Sequence, residues 1–263
     1  MTITDYLRRG LAAGLLAGLL AGLFAWAAGE PAVRDAIELE EQASEQEAAH
    51  DHDAGSEQEA GAHGHDEGEL VSRPVQEAML PVATGLVGAA FGGVFGLGYG
   101  LARRRMETAD EWAASWKAGA AVYGTVVLFP ALAYPANPPA VGDPGTIANR
   151  TGLFTLSLGI GLAALLVLWA VARFLRSQHW SREARQVAVG LAAVVVLGGA
   201  WFALPAPESA GDFPVDVMWN FRLSSMGTQL ILWTALTAVF AWLNLRASHK
   251  AAAGTEKKAE AAA

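Results

Sequence analysis

The 263-residue chain is 53% hydrophobic and 17% charged with a net charge of -8, and its mean hydropathy is positive. That balance belongs to membrane proteins and argues against one or two soluble domains. No basic patch interleaved with aromatics exists, so nucleic acid is excluded as a partner; the lack of cysteine excludes disulfides, thiolate metal sites and cysteine nucleophiles.

Taken in order, the chain shows six apolar segments: Leu11–Gly29, Met79–Ala102, Trp116–Tyr134, Thr151–Leu175, Val187–Leu204 and Gly227–Leu245. Each is about long enough to cross a hydrocarbon core of roughly 30 Å as a helix. In lipid the backbone must satisfy its own hydrogen bonds, which makes helix the default for every span. Arg8 and Arg9 precede the first run as they would in a signal peptide. The run is long for a signal core and further spans follow, so it reads as a retained anchor. Cleavage near the sequence AWAAG is the other reading. Pro205 and Pro207 cut the fifth span short.

Short-loop charges set the orientation. Arginines lie before the first span, at Arg103–Arg105 after the second, between the fourth and fifth (Arg173, Arg176, Arg182, Arg185), and after the sixth at Arg246. With six spans these clusters share one face, which the positive-inside rule makes cytoplasmic. The expected fold is therefore all-α: a multi-pass bundle of six transmembrane helices in the inner (plasma) membrane, with both termini in the cytoplasm. Residues 250–263 are expected to form a disordered cytoplasmic tail. Three connections then face outward: Glu30–Ala78, Pro135–Arg150 and Pro205–Met226.

Two glycine registers mark the first two spans. Gly10, Gly14, Gly18 and Gly22 recur every four residues, as do Gly88, Gly92, Gly96 and Gly100. Residues at i and i+4 share a helix face, so each span carries a flat stripe suited to close helix contact. The contact can lie between these two helices or with a partner, including a second copy of the chain; a conduction path is the remaining reading.

The outer connection 30–78 holds the sharpest candidates for chemistry. Its stretch from Glu38 to Glu59 is rich enough in Glu, Ala and Gln to extend as partial helix, with disorder expected through the glycine-rich part that follows. His50 and His52 flank Asp51, His63 and His65 flank Gly64, and Asp53, Asp66, Glu67 and Glu69 lie close by. In an extended segment residues two apart point the same way, so each pair can turn both imidazoles toward one ion. Imidazole suits Co, Ni, Cu and Zn, and carboxylates can complete the shell. No structural or catalytic zinc spacing is present. The competing reading is a solubilising acidic tether whose histidines are incidental.

Further candidates line a transport path. Glu30 with Pro31 closes the first span and could pass a cation from the loop to the bundle. Pro130 either kinks the third span near a cavity or ends it. Asn149 and Arg150 open the fourth span. Phe213, Val217, Trp219 and Leu223 suit an interfacial segment, with Asp216 and Arg222 facing water or each other. Ser224, Ser225, Thr228 and Gln229 make a polar approach to the last span, suited to helix–helix hydrogen bonds or to substrate. Enzyme function is not expected: HExxH, a phosphate-binding glycine loop and a nucleophile elbow are all missing, and no cofactor is expected.

The glycine-rich first span ending in Glu30-Pro31, the external HxH loop, the segment PALAYPANPPAVGDPG leading to Asn149-Arg150, and FPVDVMWNFRLSSMGTQ before the last span together resemble the CbtA family of cobalt transporter subunits. The resemblance implies an integral membrane protein associated with cobalt supply. It also implies a small partner subunit with one span and a histidine-bearing terminus. The expected function is uptake of a divalent transition metal captured by the external loop, with Co2+ as the substrate and Ni2+ or Zn2+ as other candidates. The alternative is a membrane metal-binding or complex-assembly protein that does not itself transport.

Overall fold

The computed structural model describes residues 1–51, 72–106, 110–139 and 141–260. Among these residues no strand occurs, and the regular structure is helical: α1 (Ile3–Phe24), α2 (Glu30–Asp51), α3 (Arg73–Arg103), α4 (Glu111–Val122), α5 (Phe129–Ala133), α6 (Ile147–Ser177), α7 (Arg182–Ala203) and α8 (Val215–Glu260). Six helices are long and apolar enough to cross a membrane: Ile3–Glu45, Arg73–Arg103, Glu111–Ala133, Ile147–Ser177, Arg182–Ala203 and Val215–Gly254. The all-helical, six-span expectation holds.

The helices overrun the apolar segments at several ends, for local reasons. A capping box starts α1 early: the Thr2 hydroxyl accepts from the Asp5 N–H, and the Thr2 N–H donates to the Asp5 carboxylate. Asp110 caps α4 by accepting from the N–H groups of Trp112 and Ala113, so the third span begins at Glu111, ahead of the expected Trp116. Glu30 and Pro31 do not close the first span. The helix passes through them into α2 and reaches Asp51, because the Glu, Ala and Gln that follow are good helix formers. Helix α8 continues through Glu260, in a stretch rich in Ala, Lys and Glu.

Two π turns interrupt the spans. Ala25–Gly29 joins α1 to α2, and Tyr123–Leu128 joins α4 to α5. In each, the last bond reaches five residues back, from the Glu30 N–H to the Ala25 carbonyl and from the Phe129 N–H to the Gly124 carbonyl. Each of those donors directly precedes a proline, Pro31 or Pro130. Proline has no N–H and its ring crowds the carbonyl four residues back, and a wider turn relieves both. Pro130 therefore widens the third span without ending it.

The two glycine stripes face each other across the α1–α3 seam. A Cβ on Gly14 would collide with the Gly88 carbonyl, and one on Gly92 with the Gly10 carbonyl, so the backbones touch where only glycine fits. Of the contacts open to the stripes, the one between α1 and α3 is the one formed. Ala13, Ala17 and Ala21 of α1 are buried in the same cluster as Leu232, Leu236 and Phe240 of α8. Rings tie this core at the arginine end: Tyr99 and Phe240 meet edge to face at 5.0 Å, and Tyr6 and Tyr99 at 5.2 Å. On the other side, α6 packs on the π turn of the third span, with Gly161 against the Thr125 carbonyl. Helix α7 packs on α6 and has no buried residue of its own.

Candidate functional site

Four polar loci lie on this frame. The first is the histidine segment. Helix α2 carries the chain to His50 and Asp51, while His52, Asp53, His63, His65, Asp66, Glu67 and Glu69 lie outside the described residues. Among the described residues no three His, Asp or Glu side chains gather as metal ligands.

The second locus is the root of that segment. Arg73 at the start of α3 donates to the Glu30 carboxylate at 2.6 Å, and Glu30 is buried. Arg34 donates from Nε and Nη2 to the two oxygens of Glu77 at 3.1 and 2.5 Å, while Arg73 Nε lies 3.5 Å from Glu77. These pairs pin the chain where it leaves and where it re-enters the bundle. The Glu30 carboxylate, expected to be open to a cation, is held by an arginine.

The third locus is a cavity of about 2080 Å³ between α3, the third span, α6 and α7, which Asn149, Arg150 and Gln229 all line. Arg150 donates to the Val141 carbonyl at 2.8 Å, and its Nε lies 3.5 Å from the Glu208 carboxylate. Arg222 does not pair with Asp216, which is exposed. It donates to Asn137 Oδ1 at 2.8 Å and to the Ala136 carbonyl at 3.3 Å, and so fixes the Ala136–Asn137 segment on the cavity's wall. The six path candidates therefore do not form one site: three line the cavity, Arg222 braces its wall, and Glu30 and Asp216 stand apart. Ser224 and Thr228 turn their hydroxyls back onto α8, donating to the Asn220 and Ser224 carbonyls, which is a helix-internal use of the polar approach.

The fourth locus escapes a reading based on apolar windows. Glu111, buried at the arginine end, accepts from Tyr99 Oη at 2.7 Å, Arg103 Nε at 2.9 Å and Tyr6 Oη at 3.4 Å. Close by, Arg9 donates to Asn244 Oδ1 at 3.0 Å. Both carboxylate oxygens of Glu111 have donors and one donor is cationic, which is how a buried acid is tolerated. The signal for it was Asp110: an N-cap there starts the helix at Glu111 and turns Glu111 inward with Ala114 and Ser115.

Comparison with known proteins adds one finding. The model of a family described as "Probable cobalt transporter subunit (CbtA)" matches residues 3–244. No curated protein and no solved structure matches the chain.

Proposed function

The chain belongs to the CbtA family, whose members are described as cobalt transporter subunits, and from that premise we propose that it is the membrane subunit through which a divalent transition metal, cobalt first among them, is taken up. The carrying observation is the family match across 3–244 on a six-span helical bundle. A subunit implies a metal substrate and a partner; the partner in this proposal is a small single-span protein with a histidine-bearing terminus.

In this reading the chain sits in the plasma membrane with its arginine clusters in the cytoplasm. Metal is captured outside by His50, His52, His63 and His65 with the neighbouring acids. Helix α2 supports this as a stalk of 22 residues, about 33 Å long at 1.5 Å per residue. The Glu30–Arg73 and Arg34–Glu77 pairs support it by closing the segment at its base, which lowers the entropy cost of bringing its two halves together. Release toward Glu30 requires Arg73 to yield that carboxylate to the arriving cation.

A second reading, a membrane metal-binding or assembly protein that does not transport, draws support from one observation. Arg105, Lys117 and Arg173 line one end of the large cavity, and cationic side chains along a path oppose the passage of a divalent cation. A deletion strain separates the two. Under the uptake reading it grows poorly on limiting cobalt, recovers with excess cobalt, and is complemented by the wild-type chain but not by one with all four loop histidines changed to Ala. Normal growth and normal cell cobalt on limiting medium would reject uptake.

A further inference from the structure

The connection between α7 and α8, residues 204–214, is a strap that its sequence keeps extended. Pro205 and Pro207 lie on either side of Ala206; proline lacks a donor and drives the residue before it into extended backbone, and Leu204 has ψ 143°. Ala206, Pro207 and Glu208 of the strap line the large cavity, at the end where α6 begins with Ile147 and Arg150. Two polar attachments hold the strap there. Tyr134 Oη, just beyond α5, donates to the Pro205 carbonyl at 3.0 Å. The Glu208 carboxylate accepts from Thr146 Oγ1 at 2.8 Å and from the Asp143 N–H at 3.4 Å, with Arg150 Nε 3.5 Å away. One side chain thus joins the strap to the Asp143–Thr146 turn and to the first turn of α6. Gly142, at φ 92°, lets that turn close over Arg150, since a Cβ there would strike the guanidinium.

We infer that residues 204–214 form a gate on this end of the cavity, with Glu208 and Tyr134 as its clasp. None of residues 204–214 is buried, so apolar packing does not hold the strap in place. Helix α7, which leads into it, buries no residue and packs on α6. What remains is a few hydrogen bonds and one ion pair between groups that water reaches, and water replaces such partners at little cost. Opening the strap therefore strands no buried polar group. The wall beside it is attached elsewhere, because Arg222 ties Asn137 to α8; the strap can lift while that wall stays. The gate does not depend on which solute enters the cavity, so it stands or falls apart from the uptake reading.

The sequence contains no cysteine, so single introduced cysteines report without background. Ser225 and Gln229 line the cavity, about one and two turns along α8 from Arg222. Ser177, exposed at the last turn of α6, is the control. The full chain carrying Ser225→Cys, Gln229→Cys or Ser177→Cys is placed in lipid nanodiscs and labelled with a charged maleimide that does not enter the bilayer. Both cavity cysteines should label well below the Ser177→Cys rate. Adding Glu208→Ala and Tyr134→Phe together should raise the two cavity rates about tenfold, as expected when hydrogen-bonded attachments are lost, and leave the Ser177→Cys rate and the melting temperature unchanged. Cavity cysteines that already label as fast as Ser177→Cys with the clasp intact would overturn the inference. So would cavity rates that do not move when both attachments are removed, or a rise shared equally by Ser177→Cys, which would be general loosening rather than a gate.

Discussion

At the scale of single residues, Glu111 is the side chain on which the arginine end of the bundle turns. Its carboxylate joins Tyr6 of α1, Tyr99 and Arg103 of α3 and the start of α4, so three helices share one charge. Removing either member of a buried ion pair strands the other and costs about 3–5 kcal/mol. Arg103→Gln and Glu111→Gln should each lower the thermal midpoint of the detergent-solubilised protein by a shift of that order. The double variant should be less destabilised than the sum of the two, since it leaves no stranded charge. Additive losses in circular-dichroism melts would show that the pair does not couple. At the wall of the cavity, Arg222→Gln should release the Ala136–Asn137 segment and expose it to limited proteolysis; an unchanged cleavage pattern would assign that segment's order to other contacts. Sequence reading singled out Arg222 and Glu30 through their position at span ends. It could not supply their partners, because Asn137 lies 85 residues from Arg222 and Arg73 lies 43 from Glu30. Glu111 was passed over for a different reason: a polar residue ahead of an apolar window looks like loop until its cap is recognised.

At the scale of elements, the glycine stripes make the sharpest claim. Gly14 and Gly92 contact the facing backbone, so Gly14→Leu or Gly92→Leu forces α1 and α3 apart. Overpacking of this kind costs about 1–3 kcal/mol or more and should reduce folded yield and melting temperature. Gly159, exposed on α6 with open space around it, provides the contrast: Gly159→Ala should be neutral or stabilising by up to about 1 kcal/mol. Equal effects at all three positions would mean that the stripes are not a packing seam. The spans and the stripes were legible because lipid leaves the backbone few options and because a four-residue period is unambiguous. Which stripe meets which was not, since a glycine face carries no side-chain code for its partner. Apolar windows stop short of helix ends where helix propensity continues, as at the Glu30–Pro31 junction and at the end of α8. The π turns needed two facts together, a proline and a helix that persists beyond it, and the sequence displays only the first.

At the scale of the whole molecule, a tightly packed unit of α1, α3, α4 and α8 stands beside a loosely covered pair, α6 and α7, with the large cavity between them. The histidine segment is rooted on the tight unit through Glu30–Arg73 and Arg34–Glu77, on the other side of the bundle from the cations that line the cleft. Changing Arg73 to Gln frees Glu30 at the base of the segment, and under the relay proposed above this should alter metal affinity at the outer face. Titration of the full chain with cobalt should show the change, and identical isotherms for wild type and Arg73→Gln would remove Glu30 from the relay. Replacing His50, His52, His63 and His65 together should abolish the high-affinity part of the same titration; unchanged stoichiometry and affinity would leave the segment as a tether. The measurement that bears most directly on cobalt uptake is flux itself: purified chain, with any subunit that copurifies, reconstituted into sealed vesicles and supplied with labelled cobalt outside. Accumulation above empty vesicles, competed by unlabelled cobalt and lost in the four-histidine variant, is the expected result. Cobalt that binds the protein but enters no faster than into empty vesicles would contradict transport.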